Sequence, residues 1–186
     1  MNKNRIRLAV LAALMFGLCC AASAADKERA LVAAAIDNDV AKAQRLIAEG
    51  VDVNARGRYS GDYNPTVLMV AANSNFVDVA KVLIAAGADV NAWANDGKTA
   101  LIIAAKKKYV AMVKLLIEAG ANVNAKDGYG RTALIYATYY YDKADVAKLL
   151  IEAGADVNVK DVYGHTARYY VPGPDVRDLL EAAGAR

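Results

Sequence analysis

Two short motifs recur in step along this chain, and their period limits the fold more than any other feature. GVDVN begins at Gly50, GADVN at Gly87, GANVN at Gly120 and GADVN at Gly154, and a last GA falls at Gly184. The intervals are 37, 33, 34 and 30 residues. TVLMVAA from Thr66, TALIIAA from Thr99, TALIYAT from Thr132 and TARYYVP from Thr166 keep the same beat. Each threonine follows the preceding asparagine by eight residues, except Thr66, which follows Asn54 by twelve. A unit this short cannot bury its apolar face alone, so the copies must stack into a solenoid.

The residue types fit two short helices per copy. Thr66, Thr99, Thr132 and Thr166 stand where a hydroxyl can cap a helix N-terminus. The first helices carry small residues, Ala71-Ala72, Ala104-Ala105 and Ala137, that allow close approach. The second helices carry larger clusters, Val82-Leu83-Ile84, Leu115-Leu116-Ile117 and Leu149-Leu150-Ile151. Gly50, Gly87, Gly120 and Gly154 follow as left-handed caps. Gly97, Gly130 and Gly164 lie in the turn before each threonine, where positive φ is expected.

On these motifs the chain resembles the ankyrin-repeat family, and the resemblance covers Ala25 to Arg186. The implied fold is an all-α ankyrin-repeat solenoid of helix-turn-helix units with β-turn or hairpin fingers. Two departures from the family's usual Thr-Pro-Leu-His start are visible. Val67, Ala100, Ala133 and Ala167 replace the proline, and Met69, Ile102, Ile135 and Tyr169 replace the histidine. They put the polar ladder usual at that histidine in question, but not the fold. Five repeats are expected, at about 25–57, 58–91, 92–124, 125–158 and 159–186, the outer two acting as caps. Pro172-Gly173-Pro174 should stop the last first helix early, with a final helix starting from Asp175.

Residues 1–24 read as a secretory signal peptide. Lys3, Arg5 and Arg7 precede the uncharged run from Leu8 to Leu18, and Ala22-Ser23-Ala24 offers small residues for cleavage before Ala25. The run is short for a bilayer span, so no stable membrane insertion is expected after cleavage. The location implied is the periplasm or outside the cell. Cys19 and Cys20 leave with the leader, and neither follows the Leu-small-small pattern of lipid attachment. The mature chain then has no thiol for a disulfide, nucleophile or metal site. Removing three basic residues from the 23 leaves 20 against 20 acidic ones, so nothing points to nucleic acid.

Catalytic patterns are nearly absent. His165 stands alone in the last turn, with no partner at ligand spacing. Asp52, Asp89 and Asp156 recur because their turn recurs, and Asn122 replaces the acid in one copy. No enzyme, cofactor or metal is expected.

Binding is the remaining reading, and the resemblance places it on the concave face formed by turn tips and first helices. The tip and inner-helix positions carry Arg56, Arg58, Tyr59, Tyr63, Trp93, Lys98, Lys106, Lys107, Tyr129, Arg131, Tyr139, Tyr140, Tyr163 and His165. Tyr139 and Tyr140 fall on variable positions, and one extra residue places Tyr141 in the connecting turn. Tyrosine suits recognition surfaces, though such rings also serve as packing over neighbouring alanines. Tyr136 reads as packing between first helices. The four-residue insertion within ARGRYSGDYNP lengthens one finger.

Nine basic residues, including Lys106 to Lys108, and four acids, Asp62, Asp96, Asp127 and Asp161, give this face a charge of about +5. The expected partner is another protein with an acidic surface, met by a monomer. The alternative is cell-wall or glycan binding through Trp93, Tyr129 and Tyr163. Replacing Leu116 with Asp is expected to cost about 4 kcal/mol or more, because it buries an unpaired charge between copies. Urea unfolding read by circular dichroism checks this.

Overall fold

The computed structural model describes residues 23–57, 63–139, 144–171 and 173–185. The expectations placed on the leader up to residue 22, and on Arg58, Tyr59, Tyr140 and Tyr141, lie outside the described residues. Five copies follow one another. Copy one holds α1 (Ala24–Ile36) and α2 (Val40–Ala48), and copy two holds α3 (Val67–Ser74) and α4 (Val77–Ala85). Copy three holds α5 (Ala100–Lys106) and α6 (Val110–Glu118), and copy four holds α7 (Ala133–Thr138) and α8 (Asp145–Glu152). Copy five holds a 3₁₀ turn (Ala167–Tyr170) and α9 (Pro174–Ala182).

The helix starts are made by the threonines. The hydroxyls of Thr66, Thr99 and Thr132 accept the backbone N–H of Met69, Ile102 and Ile135 at 3.4, 3.3 and 3.4 Å. Each satisfies one of the N–H groups that a helix start leaves without a partner. Thr166 departs from the expectation. It makes no capping bond, and its segment closes only a 3₁₀ turn before Val171. The final helix then begins at Pro174 rather than Asp175, because proline suits a first helical position whose N–H is spare. At the other end, Ser23 caps α1 in a reciprocal box with Asp26. Cleavage before Ala25 would remove that cap.

The copies stack in two rows. In one, α1, α3, α5, α7 and the 3₁₀ turn pack in series. In the other, α2, α4, α6 and α8 do the same. The first helices of the middle copies are buried on nearly every side, from Val67 to Ala72, Ala100 to Ala105 and Ala133 to Thr138. The second helices bury one face each: Val79, Ala80 and Leu83; Met112, Val113 and Leu116; Val146, Ala147 and Leu150. Met69, Ile102 and Ile135, at the family's histidine position, are at most 1% exposed and join this core.

The GxDVN motif supplies the polar coupling between copies. The side-chain oxygens of Asp52, Asp89, Asn122 and Asp156 accept the N–H two residues on, at 2.8–3.0 Å. Only an acceptor is used there, so Asn122 serves as well as an acid. The following asparagine reaches the next copy. Asn54, Asn91 and Asn124 accept N–H from Asp89, Asn122 and Asp156 at 2.8, 2.7 and 2.8 Å. The amides of Asn91, Asn124 and Asn158 donate to the carbonyls of Gly120, Gly154 and Gly184 at 3.3, 3.3 and 3.1 Å.

The fingers also touch. The N–H of Gly128 donates to Asp96 O at 2.9 Å, and that of Val162 to Tyr129 O at 3.0 Å. A Cβ on Gly97 would stand 2.7 Å from Gly128 N, and φ at Gly97 is +79°, so both space and conformation demand glycine.

The turn between paired helices passes through the left-handed region at Asn38, Asn75 and Lys108, with φ of 56°, 58° and 59°. Asparagine tolerates that conformation and lysine does so poorly. Lys108→Asn is therefore expected to stabilise the fold by about 0.5–1 kcal/mol, measured as a raised urea midpoint at unchanged m-value.

Candidate functional site

The inner surface is set by the residue four beyond each threonine: Val70, Ile103, Tyr136 and Tyr170. Helix geometry puts these four in one column, one per copy. In copies four and five the column is aromatic and tied to its own finger. Tyr136 OH donates to Asp127 Oδ2 at 2.6 Å, and Tyr170 OH to Asp161 Oδ2 at 2.6 Å. The other carboxylate oxygen organises the finger. Asp127 Oδ1 accepts N–H from Tyr129 and Arg131 at 2.9 and 3.0 Å. Asp161 Oδ1 accepts from Tyr163 and His165 at 2.9 and 3.0 Å.

These bonds set the protonation states. Burial, reinforced by the hydrogen bond to Asp127, pushes Tyr136 up to about 12. Burial and Asp161 likewise raise Tyr170. Burial opposes the Asp161 charge. The Tyr170 hydroxyl, the N–H groups of His165 and Tyr163 and the Arg131 guanidinium outweigh it and hold the carboxyl at about 2.

Arg131 is the hub of this half. Its Nε lies 3.3 Å from Asp161 Oδ2, whose side chain is 0% exposed. Its Nη2 lies 3.5 Å from Tyr170 OH. The guanidinium sits 5.4–5.7 Å from the ring centroids of Tyr129, Tyr139, Tyr163 and Tyr170, within cation–π range. Tyr139 stacks on Tyr170 at 4.5 Å and lies 5.8 Å from Tyr136. The His165 ring lies parallel to Tyr169 at 3.5 Å, with Nδ1 3.3 Å from Tyr170 OH.

The remaining candidates divide by use. Arg56 donates to the carbonyls of Asn64 and Trp93 at 2.8 and 3.0 Å, joining two fingers. Lys98 pairs with Asp96. Lys106 stands 5.7 Å from the Tyr136 centroid, and Lys107 ends α5 in solvent. Tyr63 is half-buried against the core, and Tyr136 is buried as expected. Trp93, Tyr129 and Tyr163 point outward, 56%, 51% and 62% exposed. Between α1, α3, α5 and the adjoining fingers a groove of about 320 Å³ opens, lined by Val70 and Ile103 with Tyr63 and Pro65.

Sequence reasoning missed three contributors. Tyr169, also exposed, stood out only as a departure at the histidine position. Asp127 and Asp161 counted merely as finger acids, although both are buried and bonded inward. Their signal was the nine-residue spacing to Tyr136 and Tyr170, absent from the copies where that column is aliphatic. Among the described residues, no group of three or more His, Cys, Asp or Glu is placed to hold a metal. No described helix is long and apolar enough to cross a membrane.

A family model described as ankyrin repeats, three copies, matches residues 8–94 and 92–161. The comparison with curated proteins found no match.

Asp161 has a pH signature. Its folded carboxyl titrates below the unfolded value of about 3.9. Its contribution to stability is complete above that value and is lost as pH falls toward 2. Asp161→Asn is expected to flatten stability across that window by on the order of 2 kcal/mol. Melts of both proteins between pH 7 and pH 2 check it, parallel profiles being the contrary result.

Proposed function

The chain belongs to the ankyrin-repeat family, and from that premise we propose that it is a non-enzymatic binding module working in the periplasm or outside the cell. Ankyrin repeats mediate protein–protein interaction. The concave face and finger tips hold one partner protein with an acidic surface, and the binding inhibits, protects against or scaffolds that partner. The observation that carries this reading is that successive fingers each leave one aromatic ring more than half exposed, Trp93, Tyr129 and Tyr163. Burying them on a partner supplies contact area at little rotamer cost. The positive groups support an acidic partner: Lys106 and Lys107 are exposed at the inner end of α5 and make no ion pair among the described residues.

The same three rings favour a second reading, stacking on the sugar rings of a cell-wall polymer. Affinity capture on the immobilised 25–186 chain, from an envelope extract of the exporting organism, separates the two. The expected result is one acidic protein, released as salt rises from about 50 to about 500 mM, with affinity falling roughly tenfold or more. Salt-insensitive retention would count against the acidic partner, and retention on insoluble peptidoglycan alone would establish the sugar reading in its place.

A further inference from the structure

The inner column is filled in one half of the array and empty in the other. In copies four and five, Tyr136 and Tyr170 span the space between first helix and finger and are locked there by Asp127 and Asp161. In copies two and three the same position holds Val70 and Ile103, which stop short. The acid nine residues ahead of the ring is missing with it: Ala94 stands in copy three where Asp127 and Asp161 stand in the later copies. The space left is the groove of about 320 Å³ between α1, α3 and α5. Val70 and Ile103 line it with Tyr63 and Pro65, the fully buried Met69 lies against it, and Ile36 borders it while still 47% exposed.

We infer that this groove is an anchor pocket for one large apolar side chain, aromatic or branched, on an acid-flanked extended segment of the partner protein. The inference rests on the protein-binding reading above and names the contact within it. The charge at the mouth selects the flanks. Lys106 and Lys107 line it, and the one carboxylate among the lining residues, Asp96, is already paired with Lys98. Val70 and Ile103 offer no partner to a buried carboxylate, whereas Asn73, Ser74, Lys106 and Lys107 in the same lining can donate to one, so the acids belong beside the anchor and not on the apolar residues. Burying an aromatic side chain there accounts for a gain of about tenfold or more in affinity. The array already shows the geometry, because its own copies four and five place a tyrosine ring in the equivalent space.

The test uses the full 25–186 chain and a labelled peptide, Glu-Asp-Phe-Asp-Glu with blocked ends. It is compared with the same peptide carrying Ala for Phe, with a Lys-flanked Phe peptide and with laurate. The acid-flanked Phe peptide is expected to bind about tenfold or more tighter than either peptide control. It should shift the methyl resonances of Met69, Val70 and Ile103 in the unmutated protein. The double variant Ala94→Asp/Ile103→Tyr transplants the tyrosine–carboxylate pair of the later copies into the pocket. It should keep its melting temperature and lose the peptide, and Lys106→Glu/Lys107→Glu should lose it without filling the groove. Peptides that bind equally or not at all, shifts confined to Tyr129 and Tyr163, or laurate binding in preference to the peptide would each overturn the pocket. Envelope capture keeps the two levels apart. If the double variant still captures the partner as the parent does, the pocket is wrong and the broader reading stands. If the parent captures nothing, the broader reading fails.

Discussion

One asparagine per copy couples each repeat to its neighbour, and the rest of the array depends on that reach. Asn54, Asn91 and Asn124 each take an N–H from the following copy, and Asn91, Asn124 and Asn158 each give one to a following glycine carbonyl. The bonds run along the turns that lead into the fingers, Asn54 and Asn91 lying two residues before Arg56 and Trp93. Between them the alanines of α3, α5 and α7 let the first helices pack closely, with Ala71, Ala72, Ala104 and Ala105 fully buried. Apolar burial supplies most of the drive and is indifferent to direction. The amide bonds are directional, and they fix the pitch at which that burial occurs.

The pitch determines what the fingers present. Backbone bonds from Gly128 to Asp96 and from Val162 to Tyr129 hold successive fingers at a fixed spacing, so Tyr129 and Tyr163, at the same phase of their copies, are presented in register. The last two copies are further tightened by Arg131, which joins Asp161 to four tyrosine rings. Among the described residues, copies two and three carry no such hub and keep an open groove instead. One scaffold thus presents a filled aromatic surface at one end and an apolar recess rimmed by lysines at the other.

The repeat was legible because it is periodic. The left-handed glycines, the threonine caps and the buried Leu116 all follow from residues that recur at the same phase. The deviations were harder to read. Thr166 carries the same sequence signal as the other threonines, yet the following Pro-Gly-Pro leaves room only for a 3₁₀ turn. Arg56 and Arg131 looked like free contact groups because a sequence shows charge and not the carbonyl or carboxylate that uses it. Tyr139 looked free for the same reason, and its ring lies on Tyr170 from the next copy. The groove was invisible because it is a difference between copies: Val70 and Ile103 look ordinary until Tyr136 and Tyr170 show what the position can hold.

Replacing the family's usual histidine with buried Met69, Ile102 and Ile135 has a consequence for the conditions the stack can endure. An imidazole chain would gain protons in mildly acidic surroundings and loosen. Here the asparagine bonds that join the turns of successive copies are made by amides and backbone, which neither take up nor release protons over that range. The spacing those bonds set between copies therefore does not hinge on proton uptake when the surrounding medium turns sour.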